Sequence, residues 1–323
     1  NSEQQYISLI KGENMKKQNM FTKEYAWRGL MTAGGLLVIA ITICIGAFLI
    51  YKGSGTFTIF GHSIFEFLGS TDWNPEDNAQ GGTVGALIFI VGSLCTCGLA
   101  LLIATPFAVG SAIFMIEIAP KFGEKFYRPI VEIFAGIPSV VYGWVGLTVL
   151  IPAIKKVFHL QVGHSVLAAG IVLALMIFPT ISNVAADSIH SVPKDYRMAA
   201  YGLGSTRWQS IYHVLIPACI PRIMTGVILA AGRGFGEAAA LLYTTGSGTD
   251  LRWNNWNLTS PTCPLNIFRP AETLSLQIWG LQINGQDPNL ANLSAAILMI
   301  LVLLFSIGAN ALSRHINKKN SGN

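Results

Sequence analysis

The sequence predicts an all-α integral membrane protein with about six transmembrane helices, and its composition and residue order carry that prediction. The chain has 323 residues, of which 52% are hydrophobic and only 11% are charged. A soluble globular domain carries about 25% charged residues, so this chain could not cover a water-exposed surface. The apolar residues also form long uncharged runs, which is typical of helices that cross a membrane.

Six apolar runs are long enough to cross a bilayer core of ~30 Å at ~1.5 Å per residue. They cover residues 30–51, 78–116, 129–152, 163–186, 223–246 and 290–312. Only the third and fifth runs contain Asp, Glu, Lys or Arg, namely Glu132, Arg233 and Glu237. The second run contains Pro106 and is long enough for one tilted helix or for two short passes.

The distribution of basic residues favours one pass for the second run, because cytoplasmic segments carry an excess of Lys and Arg. With six spans and a cytoplasmic N-terminus, 15 of the 21 basic residues fall on the cytoplasmic side and five on the other. Splitting the second run would move the basic loop at 117–129 outside. We therefore predict a multi-pass protein of the cell membrane with both termini in the cytoplasm.

This count divides the chain into segments of distinct character. We predict a cytoplasmic segment at 1–28, a first transmembrane helix at 29–51, an external loop at 52–82, a core bundle at 83–246 that includes a cytoplasmic loop at 188–217, a second external loop at 247–289, and a last helix with a cytoplasmic tail at 290–323.

The 188–217 loop has the clearest local signals. Pro193 is suited to the first turn of a helix, and Gly204 is suited to its end. Thr206 and Gln209 form a capping-box pattern that starts a second short helix, which Pro217 closes. Within it, Trp208, Ile211, Tyr212 and Leu215 fall on one apolar stripe. Such a helix either docks in a groove of a cytoplasmic protein or lies on the lipid surface or under its own bundle.

The fifth run contains two charges that are expensive to place in a membrane. Arg233 and Glu237 are four residues apart, which places them on one face of a helix. Charges within a span normally face a polar interior and mark a pathway. A guanidinium can hold a tetrahedral oxyanion through two parallel hydrogen bonds, so the pair is a candidate substrate path. The alternative is an internal ion pair that only fixes helix packing.

The third run predicts a kinked helix with a small-residue face. Pro138 removes a backbone hydrogen bond and frees a carbonyl group, which Ser139 is placed to satisfy. Kinked helices often line transport cavities, so Ser139 joins the candidate substrate path. The alternative is close packing through Gly136, Gly143 and Gly146.

Several other functions find no support in the sequence. The chain has no Gly-x-x-x-x-Gly-Lys-[Ser/Thr] motif, no catalytic constellation in a polar loop, and no Cys or His spacing suited to a metal. Its net charge of +5 is spread along the chain and forms no nucleic-acid patch. We therefore expect a transport subunit that is not an enzyme and has no cofactor of its own.

The 188–217 loop also resembles a known family. Residues 198–204, Met-Ala-Ala-Tyr-Gly-Leu-Gly, with Leu-Ile-Pro at 215–217, are similar to the EAA loop of ABC importer permeases, although Met198 replaces the family's Glu. The resemblance implies a MetI-like permease fold in which this loop couples to a separate ATPase. The coupling residues that it implies are Ala199, Ala200, Gly204, Thr206, Arg207, Trp208 and Pro217.

Further blocks resemble the phosphate-specific permeases of the PstC and PstA types. They include Trp-Asn-Pro at 73–75, the Ala-Gly-Ile-Pro-Ser-Val-Val-Tyr-Gly block at 135–143, and Gly-Glu-Ala-Ala-Ala-Leu-Leu at 236–242. The resemblance implies import of inorganic phosphate with a second permease subunit, related or identical, a cytoplasmic ATPase dimer that binds ATP and Mg²⁺, and an extracytoplasmic phosphate-binding protein. A permease for sulfate, molybdate or phosphonate, and an ATPase-independent transporter or channel, are the alternatives.

Overall fold

The computed structural model is almost entirely helical. It describes residues 2–74, 82–251, 257, 260, 262–283 and 288–320, with side chains at 25 and from 27 to 315 within these ranges. Six helical segments in this part of the chain are long and apolar enough to cross a membrane, which confirms the predicted number. They are Trp27–Thr58, Leu87–Ile118, Ser139–Val157, Val166–His190, Arg207–Gly236 and Pro288–His315.

The first helix, α1, runs from Ser2 to Gly53. Residues 1–51 form one compact unit and residues 52–323 form another. The polar residues before the first apolar run are therefore helical and continuous with it.

Short elements connect the first two spans. They are the helices α2 (Gly55–Thr58) and α3 (Ile64–Gly69) and the two-residue strands β1 (Trp73–Asn74) and β2 (Thr83–Val84). The strands pair antiparallel, with Trp73 opposite Val84. The Ser63 hydroxyl starts α3 by accepting a hydrogen bond from the Phe65 amide.

The second predicted run forms a single span. Helix α4 (Leu87–Ile113) continues without interruption into a π-helical turn (Phe114–Ile118). After it come α5 (Pro120–Phe122), a second π-helical turn (Gly123–Tyr127) and α6 (Arg128–Gly136).

The third run is broken rather than kinked. It consists of α6, then α7 (Ser139–Val145), a π-helical turn (Gly146–Leu150) and α8 (Ile151–Val157). The break lies at Ile137 and Pro138, whose backbones are extended at ψ 128° and 140°. A residue before proline is driven out of the helical region, which explains why the span starts at Ser139 and not at Pro129.

The fourth and fifth spans flank the 188–217 loop. The elements here are α9 (Val166–His190), α10 (Lys194–Gly202), α11 (Arg207–Ser210), a π-helical turn (Ile211–Leu215) and α12 (Ile216–Gly236). The chain then forms α13 (Ala239–Leu242), α14 (Leu274–Ile283) and α15 (Pro288–Asn320).

All four π-helical turns in the described chain end two positions before a proline. In each, the amide of the residue just before the proline bonds the carbonyl five positions back, as Ile216 does with Ile211. The prolines are Pro120, Pro129, Pro152 and Pro217. A proline ring clashes with the carbonyl four residues earlier in an α-helix, and a widened turn moves that carbonyl away.

The core of the second unit has three main apolar clusters along the bundle. The central cluster joins α4, α9 and α12 through residues such as Leu173 and Ala230. One end, which we call the loop end, packs Ile113, Ile189 and Ile211 beneath the 188–217 loop. The opposite end packs Phe89 and its neighbours against residues 251–293.

Candidate translocation site and coupling loop

Arg233 lies in the last turn of α12 and is exposed on the surface of the single chain. The fifth span ends at Gly236 rather than continuing to residue 246. Gly234, the residue after Arg233, nevertheless packs against Cys97 and Leu173, which lie inside the second and fourth spans. Arg233 therefore lies level with residues inside the second and fourth spans, and its role in a translocation path stays a prediction.

The predicted shared helical face of Arg233 and Glu237 is wrong. Glu237 follows the end of α12 with an extended backbone, at ψ 125°. Its Oε1 accepts a hydrogen bond of 3.1 Å from the Ala240 amide and so caps α13. Among the described side chains, no ion pair joins Arg233 to Glu237. Gly234 and Gly236 weaken the last turn, which lets the chain leave the helix there.

The segment after Arg233 folds back against the third span. A side chain at Gly143 would come within 2.9 Å of the Ala240 Cα atom, so α7 and α13 lie in backbone contact. On the other side, the Ser275 hydroxyl donates a 2.6 Å hydrogen bond to the Glu237 carbonyl. Glu237 is thus a fixed part of the wall next to Arg233.

The carbonyl freed by Pro138 is satisfied by a residue that the sequence does not single out. Four residues before Pro138, the carbonyl of Phe134 accepts a 2.7 Å hydrogen bond from the Tyr142 hydroxyl. Ser139, which the sequence predicts for this role, begins α7 and is half-buried. Arg233 is within electrostatic range of the Tyr142 hydroxyl, which bonds across the break before the third span.

Gly204 ends α10 in the way that the sequence predicts. It adopts a positive φ of 81°. The Ser205 amide donates to the Ala200 carbonyl at 3.1 Å, and the Gly204 amide donates to the Tyr201 carbonyl at 2.9 Å. These two bonds form a Schellman motif, which satisfies carbonyls at the end of a helix.

Thr206 and Gln209 form the predicted capping box. The Gln209 side chain accepts a 2.8 Å hydrogen bond from the Thr206 amide, and the Thr206 hydroxyl accepts one from the Gln209 amide. The prediction that Pro217 closes a separate short helix is wrong, because residues 207–236 form one continuous helix. The π-helical turn that precedes Pro217 accommodates the proline without a break.

The predicted apolar stripe divides into two faces. Ile211 and Leu215 are only 3% and 1% exposed and pack into the cluster at the loop end. Trp208 and Tyr212 are exposed. A π-helical turn adds a residue to the turn, which shifts the spacing on which the prediction relied.

The loop exposes six large aromatic or aliphatic side chains. We call this set the loop patch, and its members are Tyr196, Met198, Tyr201, Leu203, Trp208 and Tyr212. Of the predicted coupling residues, Ala199, Thr206 and Arg207 are exposed, whereas Ala200 is buried. Large apolar side chains exposed around a helix end are typical of an interaction site.

One ion pair at the loop end has no counterpart in the sequence predictions. Arg197 Nη2 lies 2.6 Å from Glu117 Oε1, and the two side chains are only 18% and 10% exposed. The same guanidinium donates to the carbonyls of Ile189 and Val192, at 3.1 and 3.4 Å. An isolated acid just after a long uncharged run is the signal that points to Glu117.

A polar cavity of about 410 Å³ also opens at the loop end. Its ionisable lining residues are Glu124, Arg128, Glu132, Asp187 and His190. Arg128 Nε donates to Glu132 Oε1 at 3.3 Å, and both side chains are about 60% exposed. Glu132 therefore belongs to a solvated pair near the start of α6.

Two ionisable side chains at the opposite end are withdrawn from solvent, Arg269 fully and Glu272 in part. Arg269 is fully buried, and desolvation lowers its pKa. Burial raises the pKa of Glu272 to about 7. The Gln277 amide donates to Glu272 at 2.8 Å and accepts from the Trp73 indole at 3.2 Å, which joins β1 to α14.

Six spans, a glycine-ended loop helix with an apolar patch, and a charge at membrane depth define an importer permease. Residues 104–322 match the family of the binding-protein-dependent transport system inner membrane component. The match covers more than half of the chain, so the protein belongs to this family. It is an integral membrane protein, an ABC importer permease, and a transport subunit rather than an enzyme.

The curated relatives agree with this assignment. The probable ABC transporter permease protein YqgH of Bacillus subtilis is 46% identical over 72% of this chain and 74% of its own length. YqgI of the same organism, described in the same words, is 40% identical over 76% and 82%. The phosphate transport system permease protein PstC of Pasteurella multocida is 31% identical over 75% and 76%.

Solved structures show the same fold. A bacterial importer of the acidic polysaccharide alginate has a TM-score of 0.54 at 19% identity and covers 87% of this chain and 96% of its own. The MetNI methionine ABC transporter has a TM-score of 0.50 at 17% identity and covers 72% and 94%. Family membership thus favours an ABC importer over the ATPase-independent transporter or channel.

Proposed function

We propose that the chain is the permease subunit of an ATP-driven importer of inorganic phosphate. Support comes from the similarity to PstC over about three quarters of both chains. The resemblance of the 135–143 block to phosphate permeases adds to it, because that block contains the break in the third span and the Tyr142 hydroxyl next to Arg233.

The exposed Arg233 at membrane depth is the observation that carries this proposal. Its guanidinium has no carboxylate partner among the described residues, so its hydrogen-bond donors are available to an anion. A planar guanidinium binds two oxygens of a tetrahedral oxyanion at once, which favours phosphate over a neutral solute.

The energy for transport enters through a partner. In this proposal the loop patch docks on a cytoplasmic ATPase dimer that binds ATP and Mg²⁺, and the chain has no cofactor of its own. A second permease subunit, related or identical, completes the path, and an extracytoplasmic phosphate-binding protein delivers the anion. Both termini and the loop end then face the cytoplasm.

The test is phosphate uptake by the reconstituted importer, with sulfate, molybdate and phosphonate as competitors. Arg233→Ala is expected to lower uptake by roughly 10- to 100-fold, because a charged hydrogen bond contributes about 1.5–3 kcal/mol. Arg233→Lys is expected to restore little, since an ammonium group cannot bind two oxygens in parallel. Lys156→Ala, on the exposed end of α8, is the matched control and leaves uptake unchanged.

Competition by another oxyanion in excess of that by phosphate would assign the importer to that anion. If the Arg233→Ala variant takes up phosphate as fast as wild type, Arg233 lies outside the translocation path.

A further inference from the structure

Helix α10, which carries the start of the loop patch, has few attachments to the rest of the bundle. Ala200 is the only one of its nine residues, Lys194–Gly202, that is buried. The part of the loop after Gly204 is attached differently, because Ile211 and Leu215 extend into the core. The side chain of Arg197 attaches α10 to the ends of the second and fourth spans.

Arg197 contacts three elements through one guanidinium. Nη2 bonds both Glu117, at the end of the second span, and the carbonyl of Ile189, at the end of the fourth. Nη1 bonds the carbonyl of Val192, in the connection to α10. A lysine ammonium cannot reach three separated acceptors in this fork geometry.

A second contact fixes the same turn to the fifth span. Arg222 Nη1 donates to the Ser191 hydroxyl, and the Ser188 hydroxyl donates to the Cys219 carbonyl at 3.3 Å. The end of the fourth span is thereby bound to the fifth as well as to α10.

We infer that Arg197 and Glu117 form a positioning clamp that transmits movement of α10 to the second and fourth spans. This inference rests on the proposed coupling role of the loop. Met198, which stands where the family has Glu, is exposed. The charge that attaches this helix to the bundle is carried by the preceding residue, Arg197, whose side chain points inward to Glu117. Neither residue of the clamp needs to touch the ATPase or the transported anion.

The experiment measures phosphate imported per ATP hydrolysed by the complete importer in proteoliposomes. Arg197→Gln and Glu117→Gln are each expected to lower this ratio by about threefold or more, within the usual range for coupling residues. The ATPase still assembles, because the loop patch is unchanged. The double variant is expected to import as much phosphate per ATP as the more impaired of the two single variants, because the two residues act as a unit.

The exposed pair Arg128 and Glu132 gives the matched control. Arg128→Gln removes an ion pair at the same end of the bundle and is expected to leave the ratio within about twofold of wild type. If Arg197 were only structural, uptake and hydrolysis would fall together with the amount of complex. A ratio for Arg197→Gln that falls by less than about threefold, or an equal fall for Arg128→Gln, would overturn the clamp.

Two further measurements separate the clamp from folding and from the choice of substrate. If the importer does not assemble with Arg197→Gln, Arg197→Lys is used instead. Phosphate import per ATP equal to that of wild type would then reject the clamp. Amide hydrogen exchange needs no substrate, and Arg197→Gln is expected to lose protection in residues 194–202 but not in 211–215. Unchanged protection would reject the clamp even if the importer carried another anion.

Discussion

Among single residues, Gly204 shows most directly how the sequence sets the shape of the loop. Its φ of 81° lies in the left-handed region, which residues with a Cβ atom occupy at a cost of about 1–2 kcal/mol. Nothing lies within 4 Å of a Cβ atom placed there. Any effect of a substitution therefore comes from the backbone and not from a steric clash.

Replacement of Gly204 by leucine is expected to uncouple ATP hydrolysis from uptake while the complex still assembles. The strained backbone disturbs the Schellman motif and redirects Ser205 and the capping box after it. Uptake and ATPase activity of the same proteoliposomes measure this effect.

Two variants calibrate the change. Gly202 lies in α10, and a Cβ atom added there would also meet open space. Gly202→Ala is therefore expected to couple ATP hydrolysis to uptake as wild type does. Gly204→Asn should retain most coupling, because asparagine tolerates the left-handed region. Normal uptake by Gly204→Leu would mean that the end of α10 does not transmit the movement.

At the scale of elements, prolines set where the helices widen or break. Pro129, Pro152 and Pro217 follow π-helical turns and leave the helix continuous, whereas the helix is interrupted at Ala119 before Pro120 and again at Pro138. At Pro138 the cause is Ile137, whose extended backbone leaves no helical path into α7. The result is a joint between α6 and the third span, which the Tyr142 hydroxyl bridges.

The Tyr142 hydroxyl holds this joint together. Tyr142→Phe leaves the Phe134 carbonyl with only the 3.4 Å hydrogen bond from the Ile137 amide, and the loss is expected to cost about 1 kcal/mol of stability. Tyr127→Phe is the control, because its hydroxyl is buried without a partner among the described residues. Thermal unfolding of the purified permease in detergent compares the two variants. Equal melting temperatures would show that the hydrogen bond does not stabilise the joint.

At the scale of the whole molecule, the two ends of the bundle differ in character. The loop end carries the loop patch, the polar cavity and the ion pair between Arg197 and Glu117. The opposite end carries the short strands, the buried Arg269 and the half-buried Glu272. From the positive-inside distribution we predict that the loop end faces the cytoplasm.

This orientation can be tested with cysteines introduced one at a time in a background that carries Cys44→Ser and Cys95→Ser, because the other three native cysteines are buried. Leu203→Cys and Val157→Cys replace residues that are 90% and 67% exposed, at the loop end and at the end of α8. A membrane-impermeant maleimide is expected to label position 157 in intact cells and position 203 only in inverted vesicles. Labelling of position 203 in intact cells would reverse the topology.

The sequence predicts the six spans, the glycine end of α10 and the capping box, because each depends on local composition or spacing. The positions of Glu237 and of the apolar stripe are wrong, since both assume an uninterrupted α-helical period. The ion pair between Arg197 and Glu117 joins residues 80 positions apart. Only packing of the second span against the fourth brings them together, and a single sequence carries no signal for that distance.

The continuous helix from Arg207 to Gly236 has a mechanical consequence. Trp208 at its start and Arg233 near its end are roughly 38 Å apart at ~1.5 Å per residue. No break in the helix separates them, so we predict that this helix moves as one body. A displacement of Trp208 is then expected to shift the Arg233 guanidinium along the helix axis or to rotate it about that axis.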